Sequence, residues 1–497
     1  MRLVIAARKS DLARLQAYRV GDALREAHPG LEIEFHFRES LGDREQTNPL
    51  WKMPAKGVFT EDFVNGLETG EFDLVVHSWK DLPTEKREHT EVVATMKRAD
   101  ARDVLLVRKN VRGQNLAKWR VLSSSPRRVY FLQKAWKELS PNGSPELEFH
   151  SVRGNIPTRL TKLQQGEGEC LLVAKAALDR LLTAPEAEFK STQETLRRVL
   201  DDCDFMVIPL QVQPPAPAQG ALAIEIRKDR LDLRARLEKI HCPQTFAAAD
   251  WERAQLSKFG GGCHLKLGAL QTEVRGQVVR YLAGSPPEGG AVDEIWIERK
   301  SPITRTPDSR RELVALRSED LFVAEPVAAS PAGEAGYISH IRAWPASTVK
   351  PRFVWTAGLK TWAKLAALGV WVNGSSESWG ETRPEIDALA GRRLEWRKWS
   401  HADAPSRGEL ALEVTYNLVP RKDISSEIRV KLQSGTHFFW HSGLLFEEAC
   451  RLEPSLRAKH HSAGLGHTQE TLQKHLGTQA PEQIFLGEAD WRVFYGA

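Results

Sequence analysis

The 497 residues exceed what one hydrophobic core accommodates, so roughly two to four domains are expected. Apolar residues at 41% and charged residues at 27% are ordinary for a folded globular chain and argue against disorder. The 70 Lys and Arg exceed the 65 Asp and Glu by only 5, without long basic runs, so neither a nucleic-acid nor a membrane surface is indicated, whereas anionic small ligands fit.

In chain order, the apolar run Leu3 to Ala7 reads as a buried strand, too short for a signal peptide. Ser10 stands at an N-cap position before a helix with apolar Leu12, Leu15, Val20 and Leu24, ended by His28-Pro29-Gly30. Leu31 to Phe37 alternates as a strand, Thr60 caps a helix to Gly70, and Phe72 to Trp79 is a further strand. Arg120 to Ser124, Leu147 to Val152 and Cys170 to Ala174 continue the alternation, which predicts α/β units with a mainly parallel sheet and ligands beyond the C-terminal strand ends. A segment from about Leu237 to Val327 carries a helix over Phe246 to Phe259, and a Pro-, Ala- and Gly-rich stretch from Ala328 to Gly336 reads as a linker. Beyond it, Phe353 to Thr361 leads into a helix ending near Gly369, Val414 to Pro420 and His437 to Ser442 read as strands, and Gly464 to Thr468 opens a helix ending at Gly477.

Three arginine clusters recur where strands meet helices: Arg8 and Lys9 before Ser10; Arg127 and Arg128 after Ser124, with Ser125 as N-cap and Pro126 at the first helical position; and Arg153 to Arg159. Guanidinium forks beside free helix N–H groups suit a carboxylate-bearing ligand. Lys80-Asp81 ends an apolar strand just before Leu82-Pro83, where a carboxylate can exchange protons with a bound molecule. Cys263 follows Gly260-Gly261-Gly262, so its thiol is offered on a closely approachable loop and is a candidate for covalent attachment. The other thiols, Cys170, Cys203, Cys242 and Cys450, form no C-x-x-C pair, so no metal site is expected and a reducing, cytoplasmic compartment is.

Eight stretches together resemble the hydroxymethylbilane synthase (porphobilinogen deaminase) family, in that family's order. They are Arg8 to Gln16 (RKSDLARLQ), Leu41 to Asp43, Lys56 to Asp62 (KGVFTED), Asp73 to Glu85 (DLVVHSWKDLPTE), Ser123 to Arg128 (SSSPRR), Val152 to Leu163 (VRGNIPTRLTKL), Ala218 to Arg227 (AQGALAIEIR) and Glu252 to Cys263 (ERAQLSKFGGGC). The resemblance covers roughly residues 1 to 300. It implies two periplasmic-binding-protein-like α/β domains, here 1–104 with a return segment about 200–230, and 105–199, followed by a small α+β domain over 231–327. It also implies a dipyrromethane cofactor in thioether linkage to Cys263 and Asp81 as the catalytic carboxylate, condensing four porphobilinogen units with release of ammonia into linear hydroxymethylbilane. By the same resemblance Lys80, Ser78, Ser124, Ser125, Arg127, Arg128 and Arg153 hold the cofactor, while Arg8, Ser10, Gln16, Lys56 and Arg159 hold porphobilinogen and the growing polypyrrole. A monomer without nucleic-acid or membrane partners is expected. The chain departs from the family pattern at Leu122, Pro126, Ala177, Ala218 and Lys266, all backbone-shaping positions.

Residues 328–349 are then a linker and 350–497 an additional α/β domain, loosely similar to one lobe of uroporphyrinogen-III synthase. Two readings stay open for it: a fused cyclase that inverts the last ring, or a remnant lobe kept for docking or dimerisation. For the whole chain the rivals are a non-catalytic two-domain anion-binding protein, which needs neither Asp81 nor a cysteine on a glycine loop, and a nucleic-acid binder, which needs a basic–aromatic interleaving the sequence lacks.

Overall fold

A computed structural model describes residues 2–39, 61–262, 264–286, 290–299, 311–327, 333–345, 350–405, 409–480 and 483–496. Its first ten strands are β1 (Arg2–Arg8), β2 (Glu32–Arg38), β3 (Leu74–Ser78), β4 (Thr90–Ala94), β5 (Asp103–Arg108), β6 (Lys118–Leu122), β7 (Glu146–His150), β8 (Cys170–Ala174), β9 (Cys203–Val207) and β10 (Leu222–Arg227). They form two five-stranded sheets on one plan, β2-β1-β3-β10-β4 and β7-β6-β8-β5-β9. Four strands of each run in one direction, as the mainly parallel pattern in the sequence predicts, and only β10 in the first and β5 in the second run against them. The antiparallel strands are the ones the chain enters on crossing between the sheets. It crosses once between β4 and β5 and returns between β9 and β10, so two straps, 95–102 and 208–221, join the sheets.

The helix Asp11–Ala27 follows β1 and buries Leu15, Ala17, Val20 and Leu24 against the first sheet. Ser10 precedes it as expected, but its hydroxyl makes no capping bond. Ser125 does cap the helix Pro126–Leu139, accepting from the Arg128 N–H, with Pro126 in the first turn. Ala218 lies in the return strap at φ +62°, a left-handed backbone that glycine adopts without cost.

The helix Pro243–Lys258 leads to a three-stranded antiparallel sheet of β11 (Lys266–Val274), β12 (Gln277–Ser285) and β13 (Val292–Ile297). Lys266 opens β11 opposite Ser285.

Ten further strands follow: β14 (Leu313–Ala315), β15 (Phe322–Pro326), β16 (Ala335–Ile338), β17 (Phe353–Thr356), β18 (Gly374–Ser375), β19 (Trp396–His401), β20 (Ala411–Pro420), β21 (His437–Trp440), β22 (His460–Gly464) and β23 (Ile484–Phe485). They make two sheets, β14-β21-β22-β23 and β15-β20-β19-β16-β17-β18. This corrects two expectations. The C-terminal region holds two sheets, not one lobe, because it starts at β14 and takes in β15 from the segment assigned to the third domain. The stretch 328–349 is not simply a linker, because β16 pairs there with both β17 and β19. Small residues hid that strand for a packing reason: a Cβ on Gly336 would sit 3.1 Å from Pro351 and 3.4 Å from Trp399.

The six-stranded sheet is welded to the second sheet. Val207 N–H donates to Asn373 O (2.8 Å), Asn373 Nδ2 and Trp371 Nε1 both donate to Phe205 O (2.9 Å each), and Trp362 Nε1 donates to Leu139 O (2.9 Å). Phe353, Trp355 and Trp396 share a core with Leu106, Leu171 and Phe205.

Candidate active site

The apolar strand β3 ends in a single tight turn, Trp79–Asp81. Trp79 is buried against Phe246 (ring centroids 5.1 Å apart) and Leu82 is buried, which leaves the intervening Asp81 side chain exposed. Arg8, Ser10, Gln16, Ser78 and Asp81 line one pocket at the C-terminal ends of β1 and β3. Gln16 and Ser78 hold one another there at 3.0 Å. The uncapped Ser10 hydroxyl belongs to the same pocket, so the residue that looked like a cap lines the site.

The second sheet contributes cations. Gly154 turns at φ +108°, Asn155 caps the helix Ile156–Gln164 by accepting from Thr158 N–H (3.0 Å), and Arg159 Nε donates to Gly154 O (2.8 Å). Burial pushes the Arg159 guanidinium down to about 10; Arg128 and Arg153 push the same way, and only Asp81 opposes them. Burial likewise lowers Lys80, with Asp81 and Asp103 opposing and Arg128 and Arg127 adding to the shift. The two sheets therefore bring Lys80, Arg128, Arg153 and Arg159 together around Asp81, a half-buried to buried group of cations at one strand-end site.

Other predicted residues are engaged within the protein. Ser124 Oγ donates to Val152 O (2.6 Å) and accepts from Val152 N–H (2.9 Å), and Ser125 caps its helix. Arg127 Nη2 and Nη1 donate to Asp103 Oδ2 and Pro214 O (2.7 Å each). Arg128 grips the other oxygen of Asp103 through Nε (3.0 Å) and Nη2 (2.7 Å). Gln213 and Gln219 also donate to Asp103, whose carboxyl the two arginines hold far below the usual range although burial alone would raise it.

Sequence reasoning missed Asp103, Gln219 and Arg253. Gln219 accepts from Lys80 Nζ (3.2 Å) and donates to Ala101 O (2.7 Å), tying the Lys80-Asp81 turn to the first strap. Arg253 donates to Trp79 O (3.1 Å), Leu82 O (3.0 Å) and Pro83 O, clamping the loop that carries Asp81. Gln219 and Arg253 stand inside quoted motifs, so a signal existed, but their partners lie far along the chain.

Gly260, Gly261 and Gly262 all have left-handed backbones, and a Cβ on Gly261 would sit 2.7 Å from Thr84 Oγ1. The glycine loop thus runs against the segment just after Asp81. Cys263 and Lys56 lie outside the described residues.

Residues 3–235 match the family model described as "Porphobilinogen deaminase, dipyromethane cofactor binding domain". A porphobilinogen deaminase of Natranaerobius thermophilus is 33% identical over 331 residues, 65% of this chain and 98% of that one. The chain belongs to the porphobilinogen deaminase family. Members from Syntrophomonas wolfei (31% identity, 59% of this chain, 89% of the relative) and Burkholderia orbicola (34%, 57% and 77%) match similarly. Among solved structures, a periplasmic sulfonate-binding protein of Methylobacillus flagellatus covers 51% of this chain and 68% of that one at 14% identity, and its TM-score of 0.27 is too low to carry an argument. As a member the chain is a transferase of tetrapyrrole biosynthesis with a dipyrromethane cofactor, and the cleft fits that group: several arginines gathered at one strand-end site suit a carboxylate-bearing molecule. Among the described residues no helix is long and apolar enough to cross a membrane.

Proposed function

We propose that this chain condenses porphobilinogen into linear hydroxymethylbilane with Asp81 as its proton-transfer group. The observation that carries the reading is the convergence on Asp81 of one pocket from the first sheet and a cation group from the second. The dipyrromethane group, held by a thioether on Cys263, supplies when bound the pyrrole carbon to which each unit is joined. Arg8, Arg128, Arg153 and Arg159 bind acetate and propionate groups of porphobilinogen and the growing chain as charge-assisted pairs, and Lys56 belongs with them by family motif. The Asp81 carboxyl gives its proton to the aminomethyl nitrogen of porphobilinogen, ammonia departs, and the carboxylate stands beside the cation left behind. After carbon–carbon bond formation the same carboxylate takes the α-proton, which restores the aromatic ring. Ser10, Gln16, Ser78 and Lys80 line and orient the pocket, while Ser124, Ser125 and Arg127 shape the loop that presents Arg128. Two periplasmic-binding-protein-like domains and a third cofactor-bearing domain describe the three N-terminal sheets on this reading. Among the described residues Cys170, Cys203, Cys242 and Cys450 are in no disulfide, which suits a cytoplasmic location, where we expect a monomer.

A second activity is favoured by one observation. The C-terminal region has two sheets, and Lys360, in the helix after β17 of one, stands within electrostatic reach of His441, at the end of β21 of the other. Two strand-end faces brought within such reach suit a uroporphyrinogen-III-synthase-like activity better than a docking remnant. The test feeds porphobilinogen to the purified chain and resolves the oxidised porphyrin isomers by chromatography. Wild-type turnover with a hundredfold or greater loss in Asp81→Asn supports the first reading, and unimpaired turnover of that variant removes Asp81 from its role. A majority of type III isomer assigns ring closure to the C-terminal region; mostly type I isomer rejects it.

A further inference from the structure

The turn after β18 carries two consecutive left-handed residues without a glycine, Glu377 (φ +53°) and Ser378 (φ +65°). Such backbones are strained and persist where surrounding contacts hold them. Here the contacts reach into the deaminase. The buried Glu377 carboxylate accepts from Leu210 N–H (2.9 Å) and Gln211 N–H (2.8 Å), and Gln211 Nε2 donates back to Glu377 O (3.0 Å). Those partners lie in the return strap. The other strap is within electrostatic reach: Arg102, paired with Asp100 (Nη2 to Oδ2 2.6 Å), packs over Trp355 and feels the Glu377 charge. Trp379 meets Tyr281 of the three-stranded sheet at 5.8 Å, in an apolar cluster with Ala101 of the first strap, Leu210 of the second and Leu465, the residue after β22.

Segments that cross between two lobes absorb the dihedral change when the lobes move. We propose that the 376–379 turn is a brace on the deaminase hinge, by which the C-terminal region holds both straps together and sets how far the two sheets flanking Asp81 can part. The inference rests on the deaminase reading, and Glu377 is on it a positioning residue for that reaction. It also gives the fusion a mechanical meaning, since Arg275 at the β11–β12 turn pairs with Glu470 (2.6 Å) and so ties the four-stranded sheet to the sheet next to the glycine loop.

The full-length Glu377→Gln variant puts an amide where a carboxylate received two N–H donors. Hydrogen exchange of the 208–213 amides is expected to speed up about tenfold, with the KM for porphobilinogen rising about threefold and kcat changing less. Arg393→Ala, which removes an exposed pair with Glu409 elsewhere on the C-terminal region, is the control and should move neither. Faster exchange with unchanged KM and kcat would reduce the turn to a stability element and overturn the proposal, as would unchanged exchange. Should the variant fail to fold, the wild type decides: peptides 208–213 and 376–379 must exchange as one unit, and independent opening sinks the brace. Absence of porphobilinogen consumption by the wild type would count against the deaminase reading alone, because the exchange measurement does not depend on it.

Discussion

The cleft around Asp81 and the C-terminal region treat buried charge in opposite ways. In the cleft, Lys80, Arg128, Arg153 and Arg159 converge on Asp81, and burial, helped by Arg128 and Arg153, drives Arg159 down to about 10. In the C-terminal region the buried Lys398 pairs with Glu381 at 2.5 Å, and Glu377 is met by two amide donors in place of a cation. Uncompensated charge marks space reserved for a ligand; compensated charge holds architecture together. Asp103 is the instructive exception, because it is a compensating carboxylate inside the cleft. It fixes Arg127 and Arg128, while Arg159 donates through Nε to a backbone carbonyl, Gly154 O.

The sharpest way to break the contrast is therefore Asp103→Ala. It strands two buried guanidinium groups and two glutamine amides, and a loss of about 3–5 kcal/mol is expected, read as a fall in thermal midpoint. A small change would mean that the arginines were never held by it.

The next effect lies on the other side of the comparison. Burial pushes the Glu377 carboxyl up from 4.5 to about 7 although the Leu210 and Gln211 amides and Arg102 pull it down, and Asp100 adds to the rise. Tyr281 faces the same carboxylate from the three-stranded sheet. A carboxyl raised by folding binds its proton more tightly in the native state. Its stabilising share is complete below about pH 4.5 and is lost as the pH climbs through about 7. Relative to Glu377→Gln, the wild type should lose at most about 3 kcal/mol of stability between pH 5 and 8, measured by denaturant unfolding. A flat difference would show that the carboxyl is solvated.

The smallest effect separates left-handed positions that need glycine from one that tolerates a side chain. Gly220 has φ +86°, and a Cβ there would lie 2.6 Å from Ala99 O of the facing strap. Gly220→Ala should cost about 2 kcal/mol, from backbone strain plus a clash that no side-chain rotation relieves. Two residues earlier, Ala218→Gly relieves strain but loses a buried methyl and unfolded-state restraint, so a change within about 1 kcal/mol is expected in the same unfolding assay.

Much of the candidate site was legible before any coordinates. Alternating strands and helices gave the loops in which ligands sit, Ser125-Pro126 read directly as a helix start, and Asp81 stood out as a carboxylate at the end of an apolar strand. Ser10 reads both as a helix cap and, by family resemblance, as a substrate contact, since position alone cannot say whether a hydroxyl turns inward to a helix or outward to a pocket; its capping bond is absent. Asp103 was invisible because an aspartate opening an apolar strand has no local signature of its partners; Gln219 reaches it across 116 residues. Arg253 grips Trp79 across 174.

The C-terminal region divides the same way. Strand periodicity located β20 and β21, but β14 is only three residues long and β16 borders a Pro- and Gly-rich run, so neither rises above its surroundings until pairing is known. By itself the sequence determined the alternation of elements, the arginines at strand ends and the identity of the proton-transfer candidate, because each depends on residues a few positions apart. Tertiary structure alone decided which cations gather around Asp81, that two sheets rather than one follow the three-stranded sheet, and that the turn at Glu377 meets the return strap. Those properties depend on which distant groups share a low-dielectric interior, and chain order does not encode that directly.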